Sequence, residues 1–151
     1  MLFLQFKIGN DRYLIDAKDI IEVVPFAALK KIPKAPPYVA GLLNYRGKTI
    51  PVIDICYLMT DRPCKLRLSS RIALINYKAD NGELLPVGFL IEQMTESVRW
   101  LESDFSDSRV NLKDNKYLGR VVIDDEGIAQ RIEISMIIPE EADEILCKGR
   151  Q

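Results

Sequence analysis

Three turn signals divide this chain into paired extended runs, and they constrain its fold more than any other feature. Gly9-Asn10-Asp11 separates the alternating run of residues 2–8 from a second run at 12–16. Asn81-Gly82 stands between 71–77 and 84–94, and both residues tolerate the positive φ of a type I′ turn. Residues 124–127 punctuate a third pair, 119–123 and 128–134. Three hairpins in 151 residues predict a β-barrel or sandwich.

The runs differ in detail. Leu2, Leu4, Phe6 and Ile8 share one face, and Gln5 and Lys7 the other. Phe3 breaks the pattern and predicts that the second face is partly covered. Asp16 or Asp19 could cap a short helix through Ile20, Ile21, Glu22, Val23 and Val24. Those β-branched residues suit a strand equally, and Pro25 ends either one. Residues 32–55, IPKAPPYVAGLLNYRGKTIPVIDI, form the densest block of special geometry. Pro37 is placed to begin one helical turn through Leu42. Asn44 to Gly47 predicts a tight turn, with Gly47 free to take positive φ. Residues 48–54 resume as a strand, where Pro51 belongs on an edge or at a bulge. Residues 102–116 are polar and strand-poor, a loop or short-helix connection. Residues 139–148 predict a closing helix, with Glu140 and Glu141 in its first turn and Ala142, Ile145 and Leu146 buried.

Composition removes most chemistries. Histidine is absent, so there is no imidazole base, no Ser-His or Cys-His dyad and no histidine metal ligand. Cys56, Cys64 and Cys147 are an odd set without C-x-x-C spacing, which predicts three reduced thiols and no zinc site. The eight glycines form no phosphate loop. A net charge of −1 gives no electrostatic case for nucleic acid. No basic start and long apolar core mark a secretory signal, and no apolar run approaches a membrane span. The expectation is a soluble cytoplasmic protein without cofactor or metal, either one domain or two small interlocked lobes.

The remaining polar candidates each have a plain structural reading beside a functional one. Asp124, Asp125 and Glu126 could supply a paired-carboxylate hydrolase, or simply form a solvated hairpin tip. Trp100 and Tyr117 could stack on a ligand, or serve core or interface packing. Cys64, near Lys65 and Arg67, could be a low-pKa thiol or an inert one. Arg62, Lys65, Arg67 and Arg71 form a solvated basic face or a docking patch. Arg46 could be an interface anchor, a solvated turn residue, or an ion-pair partner of Glu22.

Several of these residues together resemble a known family. The signal begins with Leu4–Phe6, Tyr13-Leu14-Ile15, Ile20, Glu22, Val23 and Val24. It is strongest in Ala35-Pro36, Tyr38-Val39, Gly41, Asn44, Arg46-Gly47 and Pro51-Val52-Ile53-Asp54. It resumes at residues 71–75 and at Val87-Gly88, and more loosely at Tyr117-Leu118-Gly119. The chain resembles the chemotaxis coupling proteins of the CheW-like family. That resemblance implies a mainly β fold, two small five-stranded SH3-like β-barrel lobes sharing one chain with short helices. It implies a single domain, residues 1–151, made of two intertwined subdomains. It also implies a non-enzymatic adaptor, recruited to membrane-associated receptor arrays. There it would couple the cytoplasmic tip of methyl-accepting chemoreceptors to the regulatory domain of a CheA-type histidine kinase. By the same resemblance, Glu22, Val23, Gly41, Asn44, Arg46 and Gly47 are the partner-binding residues. Tyr45 stands where leucine is usual and Cys56 where many relatives have arginine, so a divergent output is a natural corollary. The alternative reading is a β-barrel regulatory module that binds partners outside receptor arrays.

Overall fold

A computed structural model describes residues 1–107 and 118–148 of the chain. Ten strands follow in order: β1 (Leu2–Ile8), β2 (Asp11–Asp16), β3 (Ile20–Pro25), β4 (Val39–Tyr45), β5 (Lys48–Asp54), β6 (Arg71–Lys78), β7 (Leu84–Ile91), β8 (Gln93–Arg99), β9 (Leu118–Asp124) and β10 (Gly127–Ile132). Three short helices accompany them: α1 (Ile55–Thr60), α2 (Ile134–Ile137) and α3 (Ala142–Lys148). The strands form two five-stranded sheets, ordered β8-β1-β2-β10-β9 and β3-β6-β7-β5-β4.

Both sheets repeat one pairing pattern. Reading each order from its first strand, the pairs are antiparallel, antiparallel, parallel and antiparallel. Each sheet also curls, because the chain leaving one edge strand bridges the opposite edge. Lys30, beyond β3, exchanges backbone bonds with Leu42 of β4 at 3.0 and 2.8 Å. Ser106, beyond β8, does the same with Val121 of β9 at 2.8 Å in both directions. The fold is therefore the expected mainly β pair of SH3-like lobes. Closure of each lobe rests on a local bridge rather than a full strand ladder. The middle of the chain builds one lobe, while its two ends together build the other.

Each sheet is buried on both faces. A shared core lies between the lobes: Phe6, Ile8 and Ile15 from one side meet Ile53, Ala73, Ile75, Val87, Phe89 and Ile91 from the other. Helices α1, α2 and α3 contribute Ile55, Ile134, Ile137, Ala142 and Leu146 to it. Smaller clusters fill the lobe interiors, Phe3, Leu14, Phe105, Val122 and Ala129 in one and Leu43, Ile50, Val52, Ile72, Leu74 and Leu90 in the other. Two-sided burial explains why Phe3 breaks the alternation of β1: it points into its own lobe. Leu2, on the opposite face, is exposed at the strand's end.

Four local expectations need correction, and one open reading is decided. Residues 20–24 take the strand of the two readings; Asp16 caps only a 3₁₀ turn over Ala17–Asp19, accepting from Lys18 N at 3.0 Å. No helix follows Pro37. One turn closes by Val39 N donating to Pro36 O at 2.9 Å, and the bridge to Lys30 then holds the chain extended. The Asn81-Gly82 hairpin forms, but over the five-residue loop 79–83. Only Gly82 takes positive φ there (89°), while Asn81 Oδ1 accepts from Glu83 N at 2.9 Å. The thiols are not all reduced: Cys56 in α1 and Cys64 in the following loop form a disulfide, Cα atoms 5.2 Å apart, leaving Cys147 free. Pro51 lies in an interior strand and not at the expected edge or bulge, and it still costs the ladder no bond. Its β4 neighbour Leu42 directs its backbone bonds to Lys30, and the parallel ladder with β7 begins only at Val52.

Candidate partner-binding site

The site is built on the β4–β5 hairpin. Tyr45 pairs with Lys48, so Arg46 and Gly47 alone make the turn, with φ of 52° and 83°. Two positive φ values define the type I′ geometry whose twist matches the flanking strands. Asn44 Oδ1 accepts from Gly47 N at 3.2 Å and braces the corner. A left-handed arginine costs about 1 kcal/mol that glycine or asparagine would avoid. Arg46 gains no burial in exchange, since its side chain is 79% exposed.

Glu22 reaches this corner from the opposite edge of the sheet. Strands β3 and β4 are the two ends of the order β3-β6-β7-β5-β4, and the curl of the lobe brings them together. The Tyr45 hydroxyl donates to Glu22 Oε2. Arg46 Nη2 lies 3.8 Å from the same oxygen, and its guanidinium sits 4.9 Å from the centre of the Tyr45 ring. One carboxylate thus serves both a phenol and a guanidinium. The exposed Arg46–Glu22 pair contributes only ~0–1 kcal/mol, so its effect is to orient Arg46 rather than to hold the fold.

The other expected site residues divide by depth. Asn44, Arg46 and Gly47 are exposed at the turn, and Glu22 is half-buried beside them. Val23 is half-buried and packs on the shared core. Gly41 is buried at φ 149°, where a Cβ would lie 2.7 Å from the Lys30 carbonyl oxygen. It creates the space in which the closing bridge crosses β4. The Glu22–Arg46 pair was one of the three readings the sequence left open for Arg46. The Tyr45 contribution was not, because it depends on two edges far apart in sequence meeting in space.

The remaining candidates occupy other places. Asp124 Oδ1 and Oδ2 accept from Arg12 Nη2 and Nη1 at 2.6 and 2.9 Å. Arg12 is buried, also donating to Gly127 O and Gln5 Oε1. Its guanidinium holds the Asp124 carboxyl below the usual carboxylate range. This carboxylate is a structural ligand of arginine, which opposes its use as a hydrolytic base. Trp100 is half-buried against the Phe3–Phe105 cluster, as the packing reading expects; Tyr117 lies outside the described residues. Arg62, Lys65 and Arg67 line an open cleft of about 340 Å³ with Cys56 and Glu92. Arg71 instead turns back to the carbonyls of Leu68 and Ser70 at 2.6 and 2.8 Å. Asp54, Cys56 and Cys64 converge in a buried group of metal-ligand type, but the disulfide leaves no thiolate to bind a cation. Burial pushes the Asp54 carboxyl up despite the backbone N–H groups it receives from Cys64 and Tyr57. Among the described residues, no helix is long and apolar enough to cross a membrane.

The chain is similar to known proteins over most of its length. A family profile described as the CheW-like domain matches residues 2–142. A chemotaxis protein CheW of Helicobacter pylori is 28% identical over 116 residues, covering 77% of this chain and 67% of that one. A chemotaxis protein CheW of Thermotoga maritima is 24% identical over 137 residues, covering 91% and 87%. The match to protein FrzA of Myxococcus xanthus is shorter, 23% identity over 46% of this chain and 44% of that one. Among solved structures, the scaffolding protein TtCheW of Thermoanaerobacter tengcongensis superposes with a TM-score of 0.77 at 23% identity, over 91% of this chain and 87% of that one. At that identity the superposition establishes the shared fold.

Proposed function

The chain belongs to the CheW-like domain family, and from that membership we propose that it is a non-enzymatic adaptor of chemosensory signalling. It couples the cytoplasmic tip of methyl-accepting chemoreceptors to the regulatory domain of a CheA-type histidine kinase, in arrays to which it is recruited from the cytoplasm. Residues 1–151 act as one domain of two intertwined barrel-like subdomains. The observation that carries the reading is the corner formed by Glu22, Tyr45 and Arg46: a strained arginine is oriented by two neighbours and keeps most of its side chain exposed. Strain held at an exposed residue points to use outside the fold. Asn44 and Gly47 shape the turn, while Val23 and Gly41 support it from beneath.

Arg46→Ala and Arg46→Glu test the reading. Circular dichroism is expected to stay native, and capture of the kinase regulatory domain or the receptor tip to fall about tenfold or more, the loss typical of an interface arginine. Undiminished capture of both partners would remove Arg46 from the interface. One observation favours the second reading, a regulatory module outside receptor arrays: the Tyr45 hydroxyl donates to Glu22, a bond that the leucine expected at position 45 from the family resemblance could not make. Affinity purification from the source cell separates the two. Recovery of a receptor with a kinase supports the adaptor; recovery of neither supports the alternative.

A further inference from the structure

The Cys56–Cys64 disulfide lies outside the partner-binding corner at the border of the shared core, with Cys56 buried in that core and Cys64 packed against it, and its surroundings set it apart from a purely structural staple. Its backbone is held in place by bonds that do not involve sulfur. Asp54 Oδ1 accepts from Tyr57 N at 3.0 Å, and Oδ2 from Cys64 N at 2.9 Å, clamping both ends of the connecting segment to one side chain. Lys65 N donates to Glu92 Oε1 at 2.8 Å, and the Thr60 hydroxyl to Cys56 O at 2.7 Å. The two cysteine Cα atoms are 5.2 Å apart. With this frame fixed, opening the sulfur bond leaves two thiols facing each other, poised to close again.

Access is asymmetric. Cys56 is 1% exposed. Cys64 is half-buried and lines an open cleft of about 440 Å³ with Pro36, Pro37, Pro63, Leu66 and Leu90. Cys56 also borders the neighbouring cleft of Arg62, Lys65 and Arg67, but Cys64 is the more exposed of the two and the readier point of attack for a small thiol. Cys147 sits on α3 with its sulfur 3.7 Å from Asp143 and takes no part in this group.

We propose that Cys56 and Cys64 form a reversible thiol–disulfide couple, opened through Cys64 by a low-molecular-weight thiol of the glutathione class and closed by the corresponding small disulfide. A glutathione thiolate attacks Cys64 Sγ; a mixed disulfide forms as the Cys56–Cys64 bond breaks, and Cys56 leaves as a thiolate that takes a proton from water. A second glutathione thiolate attacks the glutathione sulfur of the mixed disulfide. Cys64 leaves as a thiolate and is protonated, and one oxidised glutathione is released. Two electrons pass from two small thiols to the protein, and closure reverses each step. Asp54, with Oδ1 3.0 Å from Cys64 Sγ, is the positioning residue that holds the Cys64 sulfur in register. The inference stands apart from the identity of the signalling partners.

The full chain is equilibrated natively in glutathione buffers running from fully reduced to fully oxidised, acid-quenched, alkylated, and weighed intact. The expected result is one sharp two-electron transition between three alkylated thiols and one, reached from either direction, with native circular dichroism throughout. Cys147→Ser should run from two to none with the same midpoint. Three alkylated thiols in every buffer would overturn the couple, because the bond would not form. One alkylated thiol in every buffer would overturn it equally, because the bond would be purely structural. A glutathione adduct at Cys64 that persists in oxidised buffer, unresolved by Cys56, would contradict the exchange route.

Discussion

At the scale of single residues, Arg46 links backbone strain, electrostatics and function. Its left-handed φ of 52° is a cost the fold could shed. Arg46→Asn is expected to raise stability by about 0.5–1 kcal/mol, because asparagine tolerates that region. Urea denaturation checks this, and the same variant should still bind partners poorly. A stabilised protein with weakened binding would separate the roles of the turn and of the guanidinium. The turn was legible in sequence because Asn-Tyr-Arg-Gly is local chemistry, while the Glu22 pair was one of three readings left open for Arg46. The bond from the Tyr45 hydroxyl to Glu22 was invisible, since nothing local to either residue says that β3 and β4 meet. The Cys56–Cys64 bond was missed for a related reason: Asp54 folds the loop back on α1, and no cysteine spacing records that.

At the scale of elements, the β9–β10 hairpin shows how a suggestive acidic tip becomes structure. Arg12 of β2 is buried beneath it and grips Asp124, fastening the last hairpin to the first. Because the folded pKa of Asp124 is depressed below its ordinary 3.8, this contribution is complete above about pH 4 and is lost as pH falls through the lowered folded value. Asp124→Asn should therefore lower stability by about 1 kcal/mol at pH 7 and by less at pH 3, flattening the acid limb. Urea midpoints at the two pH values test it; equal losses at both would contradict the ionic account. Most strands were readable from alternation and turn residues. Residues 20–24 were ambiguous and 37–42 were misread as a helical turn, because tertiary bridges, not local preference, decide them. The Lys30–Leu42 bridge straightens the second stretch, and pairing with β6 fixes the first.

At the scale of the whole molecule, the shared core makes two lobes one cooperative unit. Phe89 of β7 is fully buried in that core, while the chain's single tryptophan, Trp100, packs in the other lobe. Phe89→Ala should cost about 3–5 kcal/mol and shift the Trp100 fluorescence midpoint together with far-UV circular dichroism. A Trp100 midpoint left in place would mean that the lobes unfold separately. The assignment of strands to lobes was out of reach of periodicity, because β1 and β2 complete their sheet with β8, β9 and β10 from the far end of the chain; chain size left two interlocked lobes open, and the family resemblance implied them. The account's central claim is that the Glu22–Tyr45–Arg46 corner engages a signalling partner. Titration calorimetry of the wild type and of Arg46→Glu, against the kinase regulatory domain and against the receptor tip, tests it most directly. The account predicts a Kd raised about tenfold or more for at least one partner with an unchanged thermal midpoint; identical Kd values for both partners would contradict it.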